Sequence, residues 1–249
     1  MRLAGRIALV TGGSRGIGRA IALALAAEGA DVGINCVRHV EAAEEVAARV
    51  RSLGRRAVVA VADVADAEAV RRMVADLQRT LGPLDILINN AGHGANTDFL
   101  TASPEVLPRM LAVHVVGTFN CTRAVLPGMI ERRWGRIVNI SSVAALRGVP
   151  YNPEYCTAKA ALLGFTRSLA ARYGREGITV NAIAPGIIHT DFHADKSETF
   201  WEKARRERVP LGREGQADEV AHAALYLCTN PYVTGEVVVV DGGLTMRIA

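Results

Sequence analysis

A short apolar run, Ile7-Ala8-Leu9-Val10, feeds directly into Thr11-Gly12-Gly13-Ser14-Arg15-Gly16-Ile17-Gly18, and residues 19–28 then form a strong helix by propensity. A glycine cluster set between a buried strand and a helix leaves few folds open. Without Cβ atoms the backbone turns tightly, and a pyrophosphate can approach the free N–H groups that open the helix. The segment predicts a strand–loop–helix unit with a dinucleotide phosphate on its loop.

The rest of the chain repeats this alternation. Strands are expected at 6–11, 31–36, 57–62, 84–88, 136–141, 178–183 and 236–240, and helices at about 16–28, 40–53, 66–81, 103–132, 154–173 and 217–228. Ile86-Leu87-Ile88 and Val237-Val238-Val239-Val240 are apolar at consecutive positions, as burial on both faces of a parallel sheet requires. The prediction is an α/β fold: one doubly wound domain over residues 1–249, with helices on both faces of a parallel sheet. A chain of 249 residues is long enough to bury one such core. Residues 186–212 break the rhythm. They are polar and charged, with Phe192, Phe200 and Trp201 interspersed, and they follow a strand's C-terminal end, where a substrate lid belongs; a plain surface excursion is the alternative.

Composition narrows the function classes. The formal net charge is +4, and the basic pairs (Arg55-Arg56, Arg71-Arg72, Arg132-Arg133, Arg205-Arg206) are scattered, so nucleic-acid binding is not expected. No apolar stretch approaches the roughly eighteen residues of a membrane span, and the apolar run after Met1–Arg6 reaches the glycine loop too soon for a secretory signal. A cytoplasmic protein is expected. Cys36, Cys121, Cys156 and Cys228 are widely separated with no CxxC, which reads as reduced cysteines rather than a disulfide framework or metal site. His189 and His193 are four apart, but nothing nearby completes a metal site.

The chemistry-bearing pattern is Tyr155-Cys156-Thr157-Ala158-Lys159, with Ser142 upstream. Residues four apart on a helix share a face, so a phenol and an ammonium lie side by side. A free phenol titrates near about 10, and a fixed positive neighbour is expected to lower that value. A tuned proton-transfer group results, with the serine hydroxyl available to hold a substrate oxygen.

Taken together, the motifs resemble the short-chain dehydrogenase/reductase family along nearly the whole chain. They are Thr11-Gly-x3-Gly16-x-Gly18, Asp63-Val64, Asn89-Asn90-Ala91-Gly92, Ser142, Tyr155-x3-Lys159, Asn181 with Pro185-Gly186, and Val240-Asp241-Gly242-Gly243. The resemblance implies a Rossmann-like seven-stranded sheet. It also implies that Tyr155 exchanges a proton with the substrate oxygen, that Ser142 hydrogen-bonds that oxygen, and that Lys159 lowers the tyrosine pKa and binds the nicotinamide ribose. By the same resemblance the cofactor lies along Gly12, Ser14, Arg15, Gly16, Ile17 and Gly18. Asp63 and Val64 contact adenine, Asn90, Ala91 and Gly92 line the cleft, and Pro185, Gly186, Ile188 and Thr190 lie toward the nicotinamide end. For Asp63, a strand-end cap is the alternative.

Cofactor choice follows from charge. An NAD site places an acid at the end of the second strand, to bond the ribose 2′-OH. Here that position is near Cys36, flanked by Asn35 and Val37, and Asp31 begins the strand at the wrong end. Arg15 and Arg38 can embrace a 2′-phosphate, which predicts NADP(H), with NAD(H) as the second candidate.

One position departs from the family pattern. Where the family often carries a catalytic asparagine, Ala112-Val113-His114-Val115-Val116-Gly117 carries His114. An imidazole could also hold a water, and it is larger and titrates near neutral pH. An altered proton relay, a weakened enzyme, a specialised site and a satisfied core histidine all stay open.

Within the family the chain is most similar in flavour to the β-ketoacyl-acyl-carrier-protein reductases. Arg132-Arg133-Trp134-Gly135-Arg136 resembles their basic turn, where acidic acyl carrier protein docks. A second basic position of that group falls at Glu176, beside Arg175, and the segment His93-Gly94-Ala95-Asn96-Thr97 departs from it. The expected reaction is reduction of a 3-oxoacyl thioester. The alternatives are a sugar, polyol or other secondary-alcohol dehydrogenase, and a nucleotide-binding regulator with a weakened site. The helix over Glu154–Tyr173 carries small and apolar residues around much of its circumference, so it needs a second partner. The resemblance makes that partner another copy, in a homotetramer.

Overall fold

The computed structural model describes residues 1–94, 97–193 (the backbone alone at His193) and 197–246. In chain order its elements are β1 (Ile7–Val10), α1 (Gly16–Ala27), β2 (Asp31–Cys36), α2 (Val40–Ser52), β3 (Ala57–Val61), α3 (Ala67–Leu81), β4 (Ile86–Asn89), α4 (Val106–Leu111) and a π-helical turn (Ala112–Val116). They continue with α5 (Gly117–Glu131), β5 (Gly135–Ile140), α6 (Ala144–Arg147), α7 (Pro153–Tyr173), β6 (Ile178–Pro185), β7 (Ile188–His189), α8 (Glu198–Lys203), β8 (Gly215–Gln216), α9 (Ala217–Thr229) and β9 (Val237–Val240).

Seven strands form one parallel sheet in the order β3-β2-β1-β4-β5-β6-β9. The consecutive apolar runs are explained by its two buried faces. Ala8, Val10, Ile86 and Ile88 pack with α1, α2 and α9 through Ile21, Leu25, Val46, Val50, Val220 and Leu227. Ile7, Leu9 and Leu87 point the other way, to Val74 and Leu77 of α3 and Val125 and Met129 of α5. The chain reverses its winding between β1 and β4, and a crevice outside the strand C-termini is expected at that point.

Two regions differ from the sequence reading. The helix expected over 103–132 is interrupted by the π-helical turn at Ala112–Val116. There Gly117 lies so close to Val64 that a Cβ would come within 2.6 Å of its side chain, and Thr118 Oγ1 donates to the His114 carbonyl at 2.8 Å. A widened turn of this kind inserts into a helix without a composition signal. The segment expected as a lid also carries regular structure that the sequence did not show. β7 pairs with β8, and Ile187, Trp201, Ala204 and Val209 form a small core beside α8. Asp195 and Lys196 of that segment lie outside the described residues. No helix among the described residues is long and apolar enough to cross a membrane.

Candidate active site

The glycine loop is locked to the end of β4 by polar contacts. Thr11 Oγ1 accepts the backbone N–H groups of Asn90 and Ala91 at 2.9 and 3.0 Å, and Asn90 Nδ2 donates to the carbonyls of Thr11 and Gly12 at 2.9 and 3.0 Å. Gly12 has φ +60° and lies where a Cβ would be 3.0 Å from Ala91 Cα, and a Cβ on Gly18 would run into the Gly12 carbonyl. Gly16, at φ +53°, opens α1, whose N-cap residue Arg15 makes no side-chain capping bond. The first amides of α1, from Gly16, Ile17 and Gly18, therefore lack a side-chain cap, and Ser14 is buried beside them. Uncapped amides on a backbone shelf without Cβ atoms fit a dinucleotide pyrophosphate.

The C-terminal end of β2, where adenosine is expected, carries no acid. Asn35, 1% exposed, donates to the carbonyls of Ala60 and Ala62 and accepts from Gly12 N at 3.4 Å, tying the glycine loop to β3. This structural role is not legible in the sequence. Its only signal was a polar residue inside an apolar strand. Cys36 is buried, Val37 and Arg38 are exposed, and Asp31 pairs with Arg56 at 2.7 Å at the far end of the strand. Asp63 Oδ1 accepts from Ala65 N at 2.9 Å, so the strand-end cap is present, while Val64 is buried against Gly117. Across the cleft, Pro185 ends β6, Gly186 is pressed against Asp241, and Ile188 is buried. The Thr190 side chain lies 3.5 Å from where a Gly16 Cβ would stand.

Ser142 follows β5, and Tyr155 and Lys159 sit in the first two turns of α7, which Pro153 starts without needing an N–H donor. Ser142 lies near enough to the Tyr155 phenol to act against the rise in its pKa, and its Oγ accepts from Ala144 N at 3.1 Å. Lys159, 4% exposed, donates from Nζ to the Ile140 carbonyl at 2.7 Å and lies 5.7 Å from the Tyr155 ring centroid.

The electrostatics correct one expectation. Tyr155 is not lowered: burial pushes it up to about 12, against the smaller opposing effect of Ser142. Burial also brings Lys159 down to about 7. Desolvation dominates both shifts, and the charge–charge lowering that the i, i+4 spacing suggested is not among their causes.

His114 joins this cluster. It is 2% exposed, its ring stands edge-on to Tyr155 with centroids 5.6 Å apart, and Nε2 lies 2.9 Å from the His93 carbonyl and 3.1 Å from the His93 amide. Nδ1 is buried without a hydrogen-bond partner. Burial, reinforced by the Lys159 charge, holds its pKa well below the usual histidine value.

Other sequence candidates lie elsewhere. His189 rests on Trp201 at 5.3 Å, and the His193 side chain, Ala95 and Asn96 lie outside the described residues. The basic turn sits at the start of β5, the opposite end from Ser142. Arg132 turns inward to the Leu84 carbonyl and Asp85, and Arg136 is buried against Trp134. Arg133 stays exposed but is held by Glu176 at 3.2 Å.

Comparison with known proteins agrees with this geometry. The family model described as Enoyl-(Acyl carrier protein) reductase matches residues 12–245. The 3-oxoacyl-[acyl-carrier-protein] reductase FabG of Aquifex aeolicus is 41% identical over 249 aligned residues, covering 98% of this chain and 99% of that protein. A crystal structure from Agrobacterium tumefaciens, provisionally assigned as a gluconate dehydrogenase, superposes with TM-score 0.94 at 31% identity, covering 99% of this chain and 98% of that one. A short-chain type dehydrogenase/reductase from Mycobacterium marinum superposes with TM-score 0.92 at 32% identity, covering 98% and 97%. With the glycine loop, the seven-stranded sheet and the serine–tyrosine–lysine cluster in one crevice, the chain belongs to the short-chain dehydrogenase/reductase family, oxidoreductases that interconvert carbonyls and secondary alcohols with a nicotinamide dinucleotide.

Proposed function

We propose that the protein reduces the 3-oxo group of an acyl thioester with NADPH. The observation that carries the reading is Tyr155 set beside Ser142 and Lys159 in the crevice, where desolvation pushes the phenol up to about 12 and so favours its protonated form. A neutral phenol is an acid ready to protonate a carbonyl oxygen rather than a base ready to deprotonate an alcohol. The bound dinucleotide supplies the hydride. Ser142 and Tyr155 offer two hydroxyls to one substrate oxygen, and Tyr155 gives up its proton as the alcohol forms. A protonated Lys159 beside it offsets the phenolate left behind. The absence of an acid at Asn35–Arg38, with Arg15 and Arg38 exposed nearby, supports NADP(H) over NAD(H).

The thioester rests on the Aquifex relative, not on the basic turn, where Arg133 alone is exposed enough to meet an acidic carrier protein. We further propose that residues 186–212 cover the substrate, since Phe192 reaches the Tyr155 ring at 5.9 Å and Thr190 reaches Gly16. The Agrobacterium neighbour favours a second reading, oxidation of a sugar acid or polyol. Purified protein assayed with NADPH or NADH and an acetoacetyl thioester, and with NADP⁺ or NAD⁺ and gluconate or polyols, separates the two. Turnover confined to the alcohols, or a clear preference for NADH, overturns the first reading. Dinucleotide binding with no turnover on any substrate, unchanged by Tyr155→Phe, points to a nucleotide-binding regulator instead.

A further inference from the structure

His114 presents an unusual arrangement for a buried ring. One nitrogen, Nε2, is within hydrogen-bond distance of both polar backbone groups of His93, at 2.9 Å to O and 3.1 Å to N. Whichever tautomer is present, that nitrogen has a partner on residue 93, as donor to the carbonyl or as acceptor from the amide. The ring also fills the space above Gly92, where a Cβ would run into it. Its other side stands edge-on to Tyr155 at 5.6 Å. The π-helical turn that carries it is fixed by the Thr118 hydroxyl on the His114 carbonyl. The imidazole thus touches the loop after β4 and the acid–base tyrosine at once.

We propose that His114 is a positioning residue that clamps the backbone of Gly92 and His93 against the face of Tyr155. The wall of the dinucleotide cleft formed by Asn90, Ala91 and Gly92 and the phenol on α7 then keep a fixed relation. The atom that does this is Nε2, the nitrogen within reach of both backbone groups of His93. The proposal rests on the reading of Tyr155 as the proton donor. The physical requirement is accuracy: a displacement of about 1 Å between a proton donor and its substrate can cost on the order of a hundredfold in rate.

Two substitutions separate the nitrogens. The terminal polar atoms of glutamine fall near the place of Nε2, whereas those of asparagine fall near the place of Nδ1. His114→Gln is expected to keep slow hydrogen exchange at the His93 amide and to hold kcat/KM within about threefold of the parent. His114→Asn is expected to speed that exchange and to lower kcat/KM by about tenfold or more, with a weaker dinucleotide Kd. Gly92→Ala, whose methyl displaces the ring, is expected to behave like His114→Asn even if a histidine variant folds poorly. Asparagine outperforming glutamine, or both matching the parent in exchange and rate, overturns the clamp. Exchange at His93 reads the clamp without turnover. A parent protein inactive on every carbonyl would therefore count against the functional reading while the exchange ranking still judges the clamp.

Discussion

At the residue scale, the site is governed by burial more than by pairing. Lys159 sits near about 7 in the folded protein, against about 10.4 in an unfolded chain. Because the unfolded state binds more protons between those values, Lys159 makes stability rise with pH across that window and costs most at its lower end. Lys159→Met is predicted to be more stable than the parent at pH 7 by about 1–3 kcal/mol and so to unfold at higher temperature. That difference shrinks toward pH 10, and turnover is lost; thermal melts at several pH values check it. The same value gives a sign for catalysis. Protonated Lys159 supports the phenolate formed in reduction, so kcat/KM for carbonyl reduction is predicted to fall as pH rises above about 7. A pH–rate profile that rises there contradicts the role. The residue types and spacing of Ser142, Tyr155 and Lys159 were legible in the sequence. Their titration was not, because it depends on how α7 meets β5 and Phe192, which spacing does not encode. Asn35 was hidden for a similar reason: its partners Ala60, Ala62 and Gly12 are distant in sequence.

At the element scale, apolar runs and glycine punctuation carried most of the fold. Two-sided burial writes a parallel strand as consecutive Val, Ile and Leu, so all seven strands were readable, with ends shifted by a residue or two. Helix starts were readable where a cap has a signature. Asp66 accepts from the amides of Glu68 and Ala69 and opens α3. Asp66→Ala is predicted to cost about 1 kcal/mol, measurable by denaturant unfolding, without altering activity. The π-helical turn was not readable. Residues 103–132 carry an ordinary helical pattern, and the contacts made around the turn, Gly117 against Val64 and His114 with His93, come from other elements. His114 was thus identifiable as an odd residue, but its partner was not.

At the scale of the whole molecule, the chain leaves apolar surface uncovered. Phe119 is 51% exposed and stacks on Phe165 at 4.2 Å, Val116 is exposed beside them, and Ala160, Ala161 and Gly164 form an open, small-residue face on α7. β9 ends the sheet with Val239 exposed and no strand beyond it among the described residues. These two surfaces support the homotetramer, and sedimentation at micromolar concentration is predicted to give a species of four chains; a lone monomer contradicts it. What joins the scales is the crevice at the strand ends, where the glycine loop of β1 meets the hydroxyl pair that follows β5 and opens α7. The measurement that tests this most directly is NADPH oxidation with an acetoacetyl thioester by the parent protein and by Tyr155→Phe. The account predicts turnover by the parent and a loss of about 10²–10⁴-fold in the variant, with dinucleotide binding retained. Equal rates in the two proteins would contradict it.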